Sequence, residues 1–597
     1  MNKRPLPDMF LENMKNLFDE FHRNDEYDAL IQSLSQEPKR GIRMNMQKLG
    51  DIDEAENILR QMNIESEPYN EPDENKNENL SFLNRIPWSD DGYYISNDFF
   101  PGRHFFYLAG LFYIQEPSAM LPANVLVAKP GEHILDLCAA PGGKTAKIVA
   151  DMKGEGILFS NDINETRVKA LVRNVELMGS TNCVVLNETP EKIARYLPGY
   201  FDKILLDAPC SGEGMFRRDP EAIDSWGKFG NLACVKMQKE ILTHVDCLLK
   251  PGGIIVYSTC TFSTKENEEM IQWFITEFPW YDVLPINKSD GIDSGMSHNK
   301  NIENTARIFP HHAQGEGHFC AKIQKRTVIE NIDNIDNIDN IYYIENIENQ
   351  KDSNSNLSLK QPANMAKTQS NKRRNKYQEE IKSELYEFTT NDFIESFKVF
   401  SKYVLTTQCV YNVLKSCSIH LQIVKGHVYS LPEAIPSLDG LKISKKGLYL
   451  GELKKAKGKI IFEPSHSFLL SRNQSDLSNP ISFSTNDPLL LKYYKGETII
   501  YPQMNYIEAN DVEANDVEVK DVEAKDIGAN DVEANDVDLD ESKIQSAKEC
   551  ARSIRERKNY EVGRFIPICV QGYPIGWGKG MQGDIIKNLY PQGWRKN

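Results

Sequence analysis

The stretch Asp136-Leu137-Cys138-Ala139-Ala140-Pro141-Gly142-Gly143-Lys144-Thr145 decides the fold of this chain. It begins within the apolar run from His133 to Leu137, read as a buried strand, and its small residues open a helix. A strand that turns through small residues into a helix brings backbone amides close to a ligand at the helix start. The Gly-Lys-Thr ending does not make a P-loop, because that motif needs glycine five positions before Gly143 and Cys138 stands there.

Outward from this loop, a second strand from Gly156 to Asn161 ends at Asp162, where an acid suits the two ribose hydroxyls of an adenosine cofactor. A helix follows, with Asn164 as N-cap, Val168, Leu171, Val172 and Val175 on its apolar face, and Gly179 as C-cap. Taken alone, Asp162 could equally be the N-terminal acid of that helix. Two later apolar runs, Ile204-Leu205-Leu206 and Ile254-Ile255-Val256-Tyr257, read as buried parallel strands. Each leads to a cysteine, in Asp207-Ala208-Pro209-Cys210-Ser211-Gly212 and in Ser258-Thr259-Cys260-Thr261. Strand ends are where open α/β sheets do chemistry. The alternation of strands and amphipathic helices from about 86 to 326 predicts a doubly wound α/β sheet.

The chain has 597 residues, 40% of them hydrophobic, enough for several domains with their own cores. No run approaches the ~18 consecutive apolar residues of a spanning helix, and Met1 to Pro7 has no apolar leader, so no membrane partner and a cytoplasmic address are expected. Eleven cysteines without paired metal spacings read as reduced thiols. Those inside apolar runs, such as Cys183 and Cys247, read as inert core residues.

The net charge of −16 argues against a nucleic-acid partner until its distribution is considered. Residues 328 to 350 hold six acids and no base; residues 508 to 541 hold fourteen acids and two lysines. Without these tracts the rest is close to neutral, which is compatible with RNA binding. The first tract repeats Asn-Ile-Asp, and the second repeats a pentad that begins Glu508-Ala509-Asn510-Asp511-Val512. One valine and one alanine per pentad bury too little area to offset chain entropy, so disorder is expected rather than a β-solenoid. The basic run Lys372-Arg373-Arg374-Asn375-Lys376 reads either as a solvated cluster or as an RNA contact. The expected division is an N-terminal accessory domain at 1–85 and a catalytic domain at 86–326. A disordered linker at 327–382 leads to an α+β C-terminal region at 383–500 and 542–597, interrupted by a disordered insert at 501–541.

Two cysteines and one aspartate at neighbouring strand ends supply an inventory for reaction at cytosine C5. That carbon is a poor nucleophile until something adds to C6 and makes the ring an enamine. A thiolate adds readily and can leave again, a carboxyl group can hold the base at N3 and its exocyclic amine, and the C5 proton must be removed before the thiol departs.

With these residues in hand, the chain resembles the Nol/Nop/Sun-type RNA cytosine-C5 methyltransferases, through the three motifs 136–145, 207–214 and 258–261 in family order. Within that family it is most similar to the RsmF-type enzymes of bacterial 16S ribosomal RNA. Supporting stretches are Tyr113 to Ser118, Met215 to Pro220, Pro310 to Phe319, Phe462 to His466 and Gly572 to Gly580. The resemblance implies a Rossmann-like methyltransferase core, a small α+β N-terminal domain and an α+β, PUA-like C-terminal RNA-binding region. It implies S-adenosylmethionine, without metal, held by Cys138, Ala139, Ala140, Pro141, Gly142, Gly143, Lys144, Asp162 and Asp207. Cys260 is implied as the C6 nucleophile, with Cys210 assisting proton removal and release and Asp207 beside them. The implied partner of a monomeric enzyme is ribosomal RNA or the small ribosomal subunit. Where many members place an aspartate after the third strand this chain has Asn187-Glu188-Thr189-Pro190, so either Glu188 reaches the cofactor or Thr189-Pro190 only caps the next helix.

Other residues keep plainer readings. His311, His312 and His318 have no cysteine or carboxylate at metal-site spacing and read as hydrogen-bonded loop histidines. Tyr573 and Trp577 either stack on RNA bases or belong to a small β-barrel turn. A DNA cytosine methyltransferase would carry its nucleophile in the Pro-Cys motif, and the Thr-Cys at 259–260 counts against it. A catalytically silent RNA-binding assembly factor would not need both thiols.

Overall fold

The computed structural model describes residues 4–62, 84–327, 387–432, 435–501, 563–582 and 584–595. The acidic tracts at 328–350 and 508–541 and the basic run Lys372–Lys376 lie outside the described residues, as do residues 542–562.

Two helices, α1 (Asp8–Glu20) and α2 (Asn24–Ser33), lead into β1 (Arg40–Met44) and α3 (Ile52–Gln61). β1 is the centre of a three-stranded antiparallel sheet with β2 (Gly92–Ile95) and β3 (Phe112–Gln115). This sheet crosses the boundary read at residue 85, since β1 pairs with strands on its far side. After the short α4 (Phe105–Leu108) and α5 (Leu121–Leu126) comes the central sheet.

Its strands are β4 (His133–Asp136), β5 (Ile157–Asn161), β6 (Cys183–Leu186), β7 (Phe201–Asp207) and β8 (Leu249–Thr259), all parallel in the order β6-β5-β4-β7-β8. Beyond β8 lies β12 (His318–Lys325), antiparallel to it and flanked by β9 (Tyr281–Leu284) and the short β10 (Asp293–Ser294) and β11 (Ala306–Ile308). Helices α6 (Gly143–Met152), α7 (Glu165–Leu177), α8 (Pro190–Tyr196), α9 (Pro220–Leu248) and α10 (Glu268–Glu277) cover both faces.

The strand sequences explain why both faces are covered. Leu135, Phe159, Ile204, Leu206, Ile255 and Tyr257 point to one face and pack with α8, α9 and α10. Their neighbours Ile134, Leu158, Leu205 and Val256 point to the other and pack with α5, α6 and α7. Successive strand residues face opposite sides, so a continuous apolar run needs a core on each. Between β4 and β7 the strand order reverses, which opens a crevice at the carboxyl ends of these strands.

The C-terminal region contributes a four-stranded antiparallel sheet over 421–464 and a five-stranded sheet built from 481–483, 499–500, 565–570, 573–581 and 585–588. Its segment Ile443–Lys446 departs from the expected division. It pairs antiparallel with β6 and becomes the outermost strand of the central sheet. Leu438 and Leu441 enter the same core. Trp577 corrects a further reading: it is 2% exposed, donates from Nε1 to Ser465 O at 2.8 Å, and packs on Phe400 and Phe565. It is a core residue and cannot stack on RNA. Tyr573 donates its hydroxyl to Glu54 on α3 and lies edge-on to Phe106 on α4, which binds it to the helices beside the N-terminal sheet instead. Among the described residues no helix is long and apolar enough to cross a membrane.

Candidate active site

The loop after β4 is shaped by its glycines. Gly142 has φ +112°, a conformation that side chains disfavour, and it starts α6 one residue later. Asp136, at the end of β4, accepts from Thr145 Oγ1 at 2.6 Å, while its Oδ1 is buried without a hydrogen bond. Burial pushes this carboxyl up to about 7. Cys138 sits in the same loop, and burial together with the nearby acids pushes its thiol up. Asn161 at the end of β5 donates to Leu137 O at 3.1 Å and Glu188 O at 3.0 Å, and so fixes the ends of three strands. This clamp was missed in the sequence, although a polar residue closing an apolar run was its signal.

Asp162 is buried at the same rim. Its Oδ1 accepts from Asn164 N at 2.9 Å; Arg167 stands 3.2 Å from Oδ2, which nonetheless has no hydrogen bond. Asn164 caps α7 by accepting from Thr166 N and Arg167 N, and Gly179 with φ +79° follows the helix end, as read. Glu188 takes Lys192 Nζ and the backbone N–H of Lys442, both at 2.6 Å. Burial raises it, but these donors outweigh that and hold it below the usual carboxylate range. Thr189 accepts from Lys192 N and caps α8.

β7 and β8 run in register with Asp207 opposite Ser258, so the loops that follow bring two distant cysteines together. Cys210 Sγ lies 3.4 Å from Cys260 Sγ, and Cys260 N–H points at Cys210 Sγ from the same distance. Both side chains are partly accessible and neither is in a disulfide. The contact with Cys260, then burial, push the Cys210 thiol well up. Asp207 accepts from Lys144 Nζ at 2.6 Å and from Ser258 Oγ at 2.8 Å. Burial would raise this acid, but Lys144 and its hydrogen bonds hold it below the ordinary value. Lys144, which burial alone would lower, is raised by Asp207 in return. The loop after Cys210 approaches the Cys260 loop at Gly214, whose N–H donates to Cys260 O at 2.9 Å; a Cβ there would stand 2.4 Å from Gly317 O.

The histidines separate. His318 is buried beside Lys144 and Asp207; burial first, then Lys144, lower it to about 4, and its Nε2 has no hydrogen bond. His311 Nε2 lies 3.1 Å from Glu26 Oε2, and His312 Nδ1 2.8 Å from Asp293 Oδ2. The carboxylate partners that local spacing lacked therefore come from α2 and β10. Arg23 pairs with the same Glu26 and Asp293. The site residues read from the sequence thus converge at the carboxyl ends of β4, β5, β7 and β8, with Glu188 on the rim.

Four family models match the chain in order. The N-terminal domain of 16S rRNA methyltransferase RsmF matches residues 6–117, 16S rRNA methyltransferase RsmB/F residues 123–324, the RsmF first C-terminal domain residues 408–471, and the RsmF PUA domain residues 556–596. The ribosomal RNA small subunit methyltransferase F of Enterobacter sp. is 34% identical over 54% of this chain and 64% of its own length. That of Vibrio parahaemolyticus is also 34% identical, again over 54% and 64%. The chain therefore spans just under two thirds of these relatives. A solved methyltransferase homologue from Pyrococcus horikoshii is 28% identical over 54% of this chain and 100% of that one, with a TM-score of 0.42. By the matched domains and their order, the chain belongs to the family of RsmB/F 16S rRNA methyltransferases, in its RsmF branch.

Proposed function

We propose that the protein transfers a methyl group from S-adenosylmethionine to C5 of a cytidine in 16S ribosomal RNA, through a covalent bond between Cys260 and C6. The observation that carries this reading is the thiol pair at 3.4 Å, beside a small-residue loop at the switch point of the sheet. The family and the printed names of the relatives support the RNA class, and the PUA match supports an RNA partner.

The residues present fit the cofactor on one structural point: Asp162 Oδ2 is a buried carboxylate oxygen without a hydrogen bond, suited to accept from a ribose hydroxyl. The segment Cys138 to Lys144 and Asp207 would hold the remainder, with Glu188 at the far rim. When bound, S-adenosylmethionine supplies an electrophilic methyl on a sulfonium. Cys260 adds as thiolate to C6, which makes C5 nucleophilic. The Asp207 carboxylate accepts from the exocyclic amine, with Lys144 as the cation beside it. Cys210 is held as a thiol while the Cys260 sulfur is its neighbour. Once that sulfur is bonded to carbon it can no longer carry the charge that opposed ionisation, so Cys210 loses its own proton to solvent and, as thiolate, takes the C5 proton before Cys260 leaves as thiolate.

Transfer of labelled methyl to 16S RNA should vanish in Cys260→Ala, with no adduct. Cys210→Ala should accumulate a protein–RNA species that survives denaturing electrophoresis. An adduct in Cys260→Ala and none in Cys210→Ala would reverse the two roles.

A further inference from the structure

Beneath the two cysteine loops runs a row of four oxygens. Glu266 Oε1 lies 2.6 Å from Ser211 Oγ, Ser211 Oγ lies 2.8 Å from Thr261 Oγ1, and Thr261 Oγ1 lies 2.9 Å from Glu213 Oε2. Ser211 follows Cys210 and Thr261 follows Cys260, so the row ties one loop to the other.

Counting protons decides its state. Three oxygen–oxygen contacts at hydrogen-bonding distance need three protons, and two hydroxyls bring two. The third must sit on a carboxyl. Glu213 is surrounded by donors: Oε2 also accepts from Phe262 N at 3.1 Å and Oε1 from Trp226 Nε1 at 2.9 Å, so it is the anionic end. Glu266 differs. Its Oε2 accepts from Ser211 N at 2.9 Å and Gln238 Nε2 at 3.1 Å, which leaves Oε1 facing the Ser211 hydroxyl. The Thr261 oxygen also receives Ser263 N–H at 3.3 Å, which favours its own proton pointing to Glu213.

We propose that Glu266 is a positioning residue that carries the third proton, donating to Ser211, which donates to Thr261, which donates to Glu213. The row thereby holds the Cys210 and Cys260 loops at their working separation. Without that proton one oxygen–oxygen contact has no hydrogen between two lone pairs, and the loops must separate to relieve it. Burial pushes Glu266 up to about 7 against the Ser211 hydrogen bonds. The titratable groups facing it are Glu213 and Cys210 on the loop after β7, Cys234 on α9, and Tyr257 on β8, whose hydroxyl donates to Glu266 O at 2.7 Å. None of these is a cation, and the anionic Glu213 favours the protonated acid.

The catalytic consequence rests on the methyl-transfer reading; the proton itself does not. Glu266→Gln reproduces the neutral state, since its amide can donate to Ser211 Oγ and accept from Ser211 N. In infrared difference spectra at about pH 6, wild type minus Glu266→Gln should show the carbonyl stretch of a protonated carboxylic acid. That signal should fade as pH rises through about 7. In steady-state methyl transfer to 16S RNA, the ratio of kcat for Glu266→Gln over wild type should rise about tenfold from about pH 6 to pH 8, because the wild type loses its proton and the amide cannot. Glu266→Ala should lose kcat across this range with KM for RNA little changed. Absence of the acid carbonyl, a flat kcat ratio, or failure of Glu266→Gln to fold at about pH 6 would overturn the proposal. If the wild type transfers no methyl to RNA, the function reading fails, and the infrared signal still decides the proton.

Discussion

Asp162 shows how a single carboxylate can be half structural and half available. Oδ1 closes the turn into α7 through Asn164 N, whereas the buried Oδ2 has no hydrogen bond. Asp162→Ala should weaken S-adenosylmethionine binding by ~1.5–3 kcal/mol, roughly 10- to 150-fold, because hydrogen bonds to a charged acceptor would go. Calorimetry on the folded variant measures this, and an unchanged affinity would place the ribose elsewhere. At this scale the sequence was most informative where chemistry is concentrated. Cys210, Cys260 and Asp207 stand out because each closes an apolar run, and the structure brings them to adjacent strand ends. Glu266 was illegible, because it lies in a polar stretch and its partners Ser211 and Gln238 come from other elements. Trp577 was ambiguous for a related reason: an aromatic among glycines suits a stacking surface or a core equally, and only tertiary packing on Phe400 and Phe565 decides.

Elements with strong local signals were legible in the chain. Apolar runs, the Asn164 cap and the Gly179 stop place β5, α7 and the strands around them within a residue or so of where they fold. The strand Ile443–Lys446 was not legible. Ile-Ser-Lys-Lys is short and polar at three of its four positions, and its partner β6 lies in a distant part of the chain. Yet it reaches the rim of the proposed cofactor site, since Asn187 N–H donates to Lys442 O at 2.9 Å and Lys442 N–H donates to Glu188 at 2.6 Å. The Lys442 side chain only pairs with the exposed Glu165. Lys442→Pro, which removes the N–H, should therefore weaken S-adenosylmethionine binding several-fold, and Lys442→Ala should leave it near wild type. Equal affinities in a binding titration would mean that the strand does not shape the rim.

Across the whole molecule, the N-terminal sheet is joined to the catalytic core through buried polar groups. Arg43 of β1 pairs with Asp91 at 3.1 Å and donates at 3.0 Å to Gln115, Asn124 and Met120 O. Arg43→Ala would take the nearer cation from the buried Asp91, which keeps the Ser89 hydroxyl and the more distant Lys147, and would leave three further acceptors without this donor, so it should lower unfolding free energy by ~3–5 kcal/mol in denaturant melts. A loss well under 1 kcal/mol would show that the N-terminal sheet is only loosely attached. The edge of the central sheet carries a different consequence. β6 is wholly apolar and buried, and its outer hydrogen-bonding side is occupied by residues 443–446 of the same chain. A chain cut before residue 435 would leave Cys183–Leu186 as a bare, sticky edge, free to zip against the same strand of another copy. Truncation would then be felt first as aggregation, so the C-terminal strand also acts as a guard over that edge.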